Sequence, residues 1–252
     1  MAQVVDLRTD ARPGALVIDA GALAGAVMGT WRGRMINEYT SSTVFAGLAE
    51  QLAALGHAED AAACREFSGE EREHGIACGS VLAAAGGEAM FTMAEPKRMP
   101  VHADTTPRAA VIRNIISICC LSETVAVSLI GAERMEMPEG TLRELLTKIW
   151  SDEIGHARFG WTYLARELPQ LTDDERAAVE RYLPVAFAAL EAHELGHIPA
   201  ATSWPAEAAA YGLCDGADAR TLFFETVTEV IVPQLAALGL RAEHAWNERR
   251  SA

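Results

Sequence analysis

The sequence predicts an all-α protein, a four-helix bundle followed by two additional C-terminal helices. Three observations carry this. Alanine, leucine and glutamate dominate, and β-branched runs are scarce. Apolar residues recur at steps of three and four, the period of a helix with one buried face. A single long polar connection, "GGEAMFTMAEPKRMPVHADTTPR", separates two closely linked helix pairs, and helix pair, crossover, helix pair is one way to wire a four-helix bundle.

The expected helices run over about 29–55, 58–86, 107–133 and 139–168, each end good to about four residues. Two more are expected near 172–196 and 216–247. Pro184 and Pro233 lie inside them and should kink them, because proline lacks an N–H and its ring crowds the preceding turn. "TDDERAAVERY" marks the fifth start, with Thr172 as N-cap and an acidic first turn. No segment alternates convincingly as a strand. One domain over residues 1–252 is expected, the bundle at about 29–168 and the added helices at about 172–247.

Half of the 252 residues are apolar, enough for a substantial core. The formal charge of −14 argues against nucleic acid or an anionic membrane as partner. Five cysteines without a C-x-x-C pair suit a reducing cytoplasm better than a disulfide framework. The start "MAQVVDLRTDARPG" lacks the basic region of a secretory signal. "GALVIDAGALAGAVM" is too short and glycine-rich to be a good membrane span. A soluble cytoplasmic protein is the expectation.

Within the bundle the first helix holds "INEYT" with Glu38, and the second holds "EEREHG" with Glu71 and His74. The third holds "LSETV" with Glu123, and the fourth "SDEIGHARFG" with Glu153 and His156. The order is E, ExxH, E, ExxH, one element per helix. Glu38 precedes Glu71 by 33 residues and Glu123 precedes Glu153 by 30, so the chain repeats the pattern in two halves. Residues i and i+3 share a helical face, so each ExxH presents a carboxylate and an imidazole to one spot. Flanking apolar residues place that face inward: Cys64, Phe67, Cys78 and Val81 on the second helix, Leu146, Ile149, Gly160 and Tyr163 on the fourth. One ExxH in such a chain is about what chance gives; two, each preceded by an inward glutamate at near-equal spacing, are not. Four buried carboxylates require compensation. Two divalent ions supply it, and an oxygen-rich set with two imidazoles suits iron or manganese better than zinc.

This arrangement resembles the ferritin-like di-iron carboxylate superfamily, whose site takes a Glu from each of two helices and Glu-x-x-His from each of two others. The resemblance covers residues 29–168 and implies a ferritin-like bundle holding two iron ions, with manganese or a mixed Mn/Fe pair as alternatives. It implies Glu38, Glu71, His74, Glu123, Glu153 and His156 as ligands, with glutamates from each half bridging. The expected activity is O₂-dependent oxidation or oxygenation of a small organic substrate, with an external electron donor. The alternative is an iron-binding or storage protein. The last 84 residues suit a pocket lid or a homodimer interface.

Glu70 and Asp152 each precede a ligand glutamate. They are expected as acceptors for the N–H of the ligand histidine in the opposite motif, Asp152 for His74 and Glu70 for His156. Tyr163 and Tyr39 read as packing residues, Cys78 and Cys119 as small buried hydrophobes. "HELGH" at 193–197 matches H-E-x-x-H, with His193 and His197 as zinc ligands and Glu194 as base of a peptidase. The glycine and histidine of the metzincin extension are absent, Ala200 and Ser203 standing there, and the chain predicts no sheet to hold a substrate. A zinc peptidase is the remote alternative.

Overall fold

The computed structural model describes residues 2–14, 16–93, 99–198 and 202–251. Of these, 75 % are helical and 3 % are strand, an all-α fold. The chain forms two compact units. The first comprises Met1–Met99, Glu136–Ile149 and Pro205–Leu213; the second comprises Pro100–Met135, Trp150–Trp204 and Cys214–Ala252.

The first unit is built on helices α1 (Ala24–Ala54) and α2 (Ala58–Ala84). The turn between them uses Gly56 at φ +81°, a left-handed conformation that costs glycine nothing. The helices are antiparallel, since Ser68 Oγ donates to Ser42 O at 2.7 Å while Gly75 faces Tyr39 and Gly79 faces Met35. A Cβ on Gly75 would stand 3.1 Å from Tyr39 N and 3.3 Å from Met35 O, so the missing side chain is what lets the backbones approach. Trp31 is fully buried and donates from Nε1 to Tyr211 O at 2.8 Å, tying a short 3₁₀ helix (Ala206–Tyr211) to α1.

The sequence reading misses two short strands, β1 (Gln3–Asp6) and β2 (Met90–Met93), which pair antiparallel with Val5 opposite Phe91. Four residues are too few for alternation to stand out, and the pairing joins segments far apart in sequence. The strand β2 lies in the crossover expected to be irregular.

In the second unit α3 (Pro107–Ile115), a π segment (Ile116–Ser122) and α4 (Glu123–Glu136) run as one rod. Thr106 caps its start, accepting from Ala109 N, with Pro107 in the first turn where its missing N–H costs nothing. The rod is apolar and long enough to cross a membrane by composition, with a window of mean hydropathy 2.0 that is 50 % buried; the core helix of a soluble protein meets the same criterion. Helix α5 (Thr141–Glu167) contributes residues 141–149 to the first unit and 150–167 to the second. In the second unit it is antiparallel to the rod: Trp150 Nε1 donates to Val127 O at 3.0 Å and Trp161 Nε1 to Thr124 Oγ1 at 3.1 Å. Gly160 lies directly against Cys119.

Helix α6 (Asp173–His197) starts with a full capping box, Thr172 and Glu175 each satisfying the other's backbone N–H, and carries Pro184 inside. The last expected helix is interrupted. Helix α7 (Gly216–Glu225) passes through a π segment (Thr226–Ile231) into α8 (Val232–Ala237), and α9 (Ala242–Glu248) follows a break. The break centres on Gly239 at φ +82°. The wide turn sits just before Pro233, whose ring and missing N–H a regular turn would not accommodate.

Beyond α9, Arg249 and Arg250 both donate to the Glu191 carboxylate on α6, and Arg249 stacks 3.4 Å from the Trp246 ring centroid. Burial alone would raise the Glu191 carboxyl; the two guanidiniums outweigh it and hold it below its ordinary 4.5. A lowered carboxyl contributes stability that is complete above the unfolded value and is lost as pH falls through the folded one. Acid titration below about pH 4.5 is therefore expected to release this end of the chain, read as a change in Trp246 emission. Glu191→Gln should remove that step; an unaltered step would assign it elsewhere.

Candidate metal centre

Each unit holds one half of the repeated pattern. In the first, Glu38 on α1 and Glu71 and His74 on α2 are brought together by the antiparallel hairpin. His74 Nδ1 lies 3.5 Å from Glu38 Oε2 and 4.0 Å from Glu71 Oε2. In the second, Glu123 opens α4 while Glu153 and His156 lie on α5. His156 Nδ1 lies 3.9 Å from Glu123 Oε2 and 3.2 Å from Glu153 Oε2. In each half, then, one imidazole nitrogen faces an oxygen from both glutamates. Within each half the three potential ligand atoms lie within 4.8 Å of one another.

None of these six side chains belongs to a residue more than 7 % exposed, and His156 is wholly buried. The inward stripes account for this. Trp31, Met35 and Phe45 flank Glu38; Cys64, Cys78 and Val81 flank the Glu71–His74 pair; Leu146, Ile149 and Tyr163 flank the Glu153–His156 pair, and all are buried. Two carboxylates beside one neutral imidazole carry a charge of about −2 in a largely apolar surround, which is costly without a cation. A single divalent ion per half cancels it. With metal–ligand bonds near 2.1 Å, neighbouring octahedral positions stand roughly 3 Å apart and opposite ones roughly 4.2 Å apart. The observed 3.2–4.0 Å separations lie between those limits. The donor set and its spacing fit metal ions, and these buried carboxylate and imidazole groups could hold them.

Glu70 and Asp152 are half-buried rather than exposed. Tyr39 packs edge-on against Phe91, and Tyr163 is buried beside Phe159 with the Arg166 guanidinium over its ring. Cys78 and Cys119 are buried. The pattern does not single out Glu133, a further buried carboxylate on α4, because ten residues from Glu123 is off the stripe that periodicity reveals.

"HELGH" forms the last turn and a half of α6. His193 and His197 are exposed, with ring centroids 4.5 Å apart, and Glu194 is half-buried, its carboxyl pushed up to about 7 by burial. Among the described residues no third His, Cys, Asp or Glu completes a set with the two histidines. A catalytic zinc needs three protein ligands and an open position, so the arrangement lacks what the peptidase reading requires. Compared with known proteins, the chain matches no family model, no curated protein and no solved structure.

Proposed function

We propose that the chain is a ferritin-like, dinuclear oxidase or oxygenase that uses O₂ on a small organic substrate, with one metal ion held by each half-site. The reading is supported above all by the two equivalent buried clusters, each with two carboxylates, one imidazole and room in charge for one divalent ion. Glu38, Glu71 and His74 hold one ion; Glu123, Glu153 and His156 hold the other. Iron is the first choice, manganese or a mixed pair the second, because carboxylate-rich sites with few imidazoles favour these over copper or zinc. When bound and reduced, such a pair supplies O₂ activation, with electrons from an external donor.

The protein's own groups do the rest. The glutamates neutralise and orient the ions, and the apolar stripes around them exclude water that would quench a strong oxidant. Glu70 and Asp152, each one residue before a ligand glutamate, are the acids placed to accept an imidazole N–H and so fix tautomer and ring orientation. The acidic surface, at a net charge of −14, fits a small-molecule substrate in the cytoplasm and not nucleic acid.

Metal analysis of protein from iron-supplemented cells, with electronic spectra before and after reduction and exposure to O₂, tests this reading. Two irons per chain and an O₂-dependent spectral change are expected. Asp152→Asn should lower metal affinity roughly 10–100-fold with the fold intact. Metal-free protein that takes up neither iron nor manganese would end the proposal.

A further inference from the structure

Away from the buried clusters, the exposed end of α6 offers a different kind of donor set. We propose that His193 and His197 form a second, surface metal site, which takes a borderline divalent ion such as Cu²⁺, Ni²⁺ or Zn²⁺ on two imidazoles with water in the remaining positions. Four residues apart on one helix, the two side chains share a face, and their ring centroids are 4.5 Å apart at an interplanar angle of 50°. Both rings are exposed, so an ion reaches them without unfolding anything.

The tautomer of His197 is set by the backbone. Its Nδ1 lies 2.7 Å from His193 O, and since a carbonyl only accepts, Nδ1 carries the proton and donates. That leaves Nε2 with its lone pair. A histidine whose second nitrogen donates to a backbone carbonyl is arranged as metal-bound histidines commonly are.

The last turn is also held in shape. Arg220 donates to Leu195 O at 3.0 Å and to Ile198 O at 2.8 Å, satisfying carbonyls that a helix end otherwise leaves open. An ion therefore meets a turn that is already ordered, which removes part of the entropy cost of bringing two imidazoles together. The C-terminal end of a helix also carries a partial negative charge that favours a cation.

Selectivity follows from the ligands. An imidazole-only pair favours Cu²⁺ first among the first-row divalent ions, whereas the carboxylate-rich clusters favour iron or manganese.

Cu²⁺ titration of the full chain, followed by electron paramagnetic resonance, tests the assignment. Wild-type protein should show one Cu²⁺ with hyperfine splitting from two nitrogens. His193→Ala and His197→Ala should each weaken that binding roughly tenfold or more, because two donors held on one helix act as a chelate and one does not. Each should also lose the two-nitrogen pattern while iron content stays at the wild-type value. Circular dichroism checks that the variants fold, and His197→Gln provides a second, polar replacement. Unchanged Cu²⁺ binding in both alanine variants, or a copper signal lost only in His74→Ala or His156→Ala, overturns the proposal. Failure of the buried clusters to bind iron leaves this test unaffected, so the two readings stand or fall separately.

Discussion

Replacing Glu71 and Glu153 together by alanine is expected to abolish stoichiometric iron or manganese binding, while His74→Ala or His156→Ala alone lowers the content below two per chain. Each substitution removes one of the three donors assigned to its half-site. A change in thermal stability separates this from a structural role. If the glutamates are retained for metal, the metal-free protein carries their burial as a cost. Glu71→Gln should then leave the melting temperature of metal-free protein unchanged or raise it, and lower that of metal-loaded protein through lost linkage. Full metal occupancy in the double variant would refute the ligand assignment. A Glu71→Gln protein less stable without metal than wild type would assign the cluster to ion pairing instead.

Gly160→Val is expected to destabilise the second unit by about 1–3 kcal/mol or more, as overpacking of a tight contact does. A Cβ there would lie 2.4 Å from Cys119 Cβ, 3.0 Å from Cys120 Sγ and 3.1 Å from the Cys119 carbonyl carbon, so the shortest contact falls on an atom fixed directly to the backbone. Gly155 on the same helix is the control, since a Cβ there meets nothing within 4 Å. Gly155→Ala should gain up to ~1 kcal/mol from helix propensity. Urea denaturation measures both. Equal midpoints for Gly160→Val and wild type would show that the two helices separate at little cost.

Much of this was legible in the sequence, for identifiable reasons. The helix from Ala58 to Ala84 and that from Asp173 to His197 lie within two residues of their expected ranges, because a 3.6-residue period and a capping box are local signals. The two ExxH pairs could be placed on buried stripes because helical geometry fixes which residues share a face. Other features depend on contacts that no local pattern encodes. The π segments at 116–122 and 226–231 shift hydrogen bonds from i+4 to i+5 without changing which residue types are apolar. The pairing of β1 with β2 joins residues more than eighty positions apart. The break at Gly239 was readable in principle: "ALGLR" places glycine just past an apolar run, where left-handed helix ends favour it.

A π turn holds one residue more than the α turn it replaces. Ahead of Glu123 it therefore offsets the two ends of the rod by about 100° from the phase of a uniform helix. Arg113, bound to Asp104 and to Ala178 O, and Asn114, bound to Pro100 O, lie on one side of the offset; Glu123 lies on the other. Deleting any one residue between 116 and 122 would allow an ordinary α-helix there and would swing Arg113 and Asn114 out of reach of their partners, or Glu123 out of line with His156. The stretch is fixed in length as well as in the close packing of Cys119 and Cys120 against Gly160.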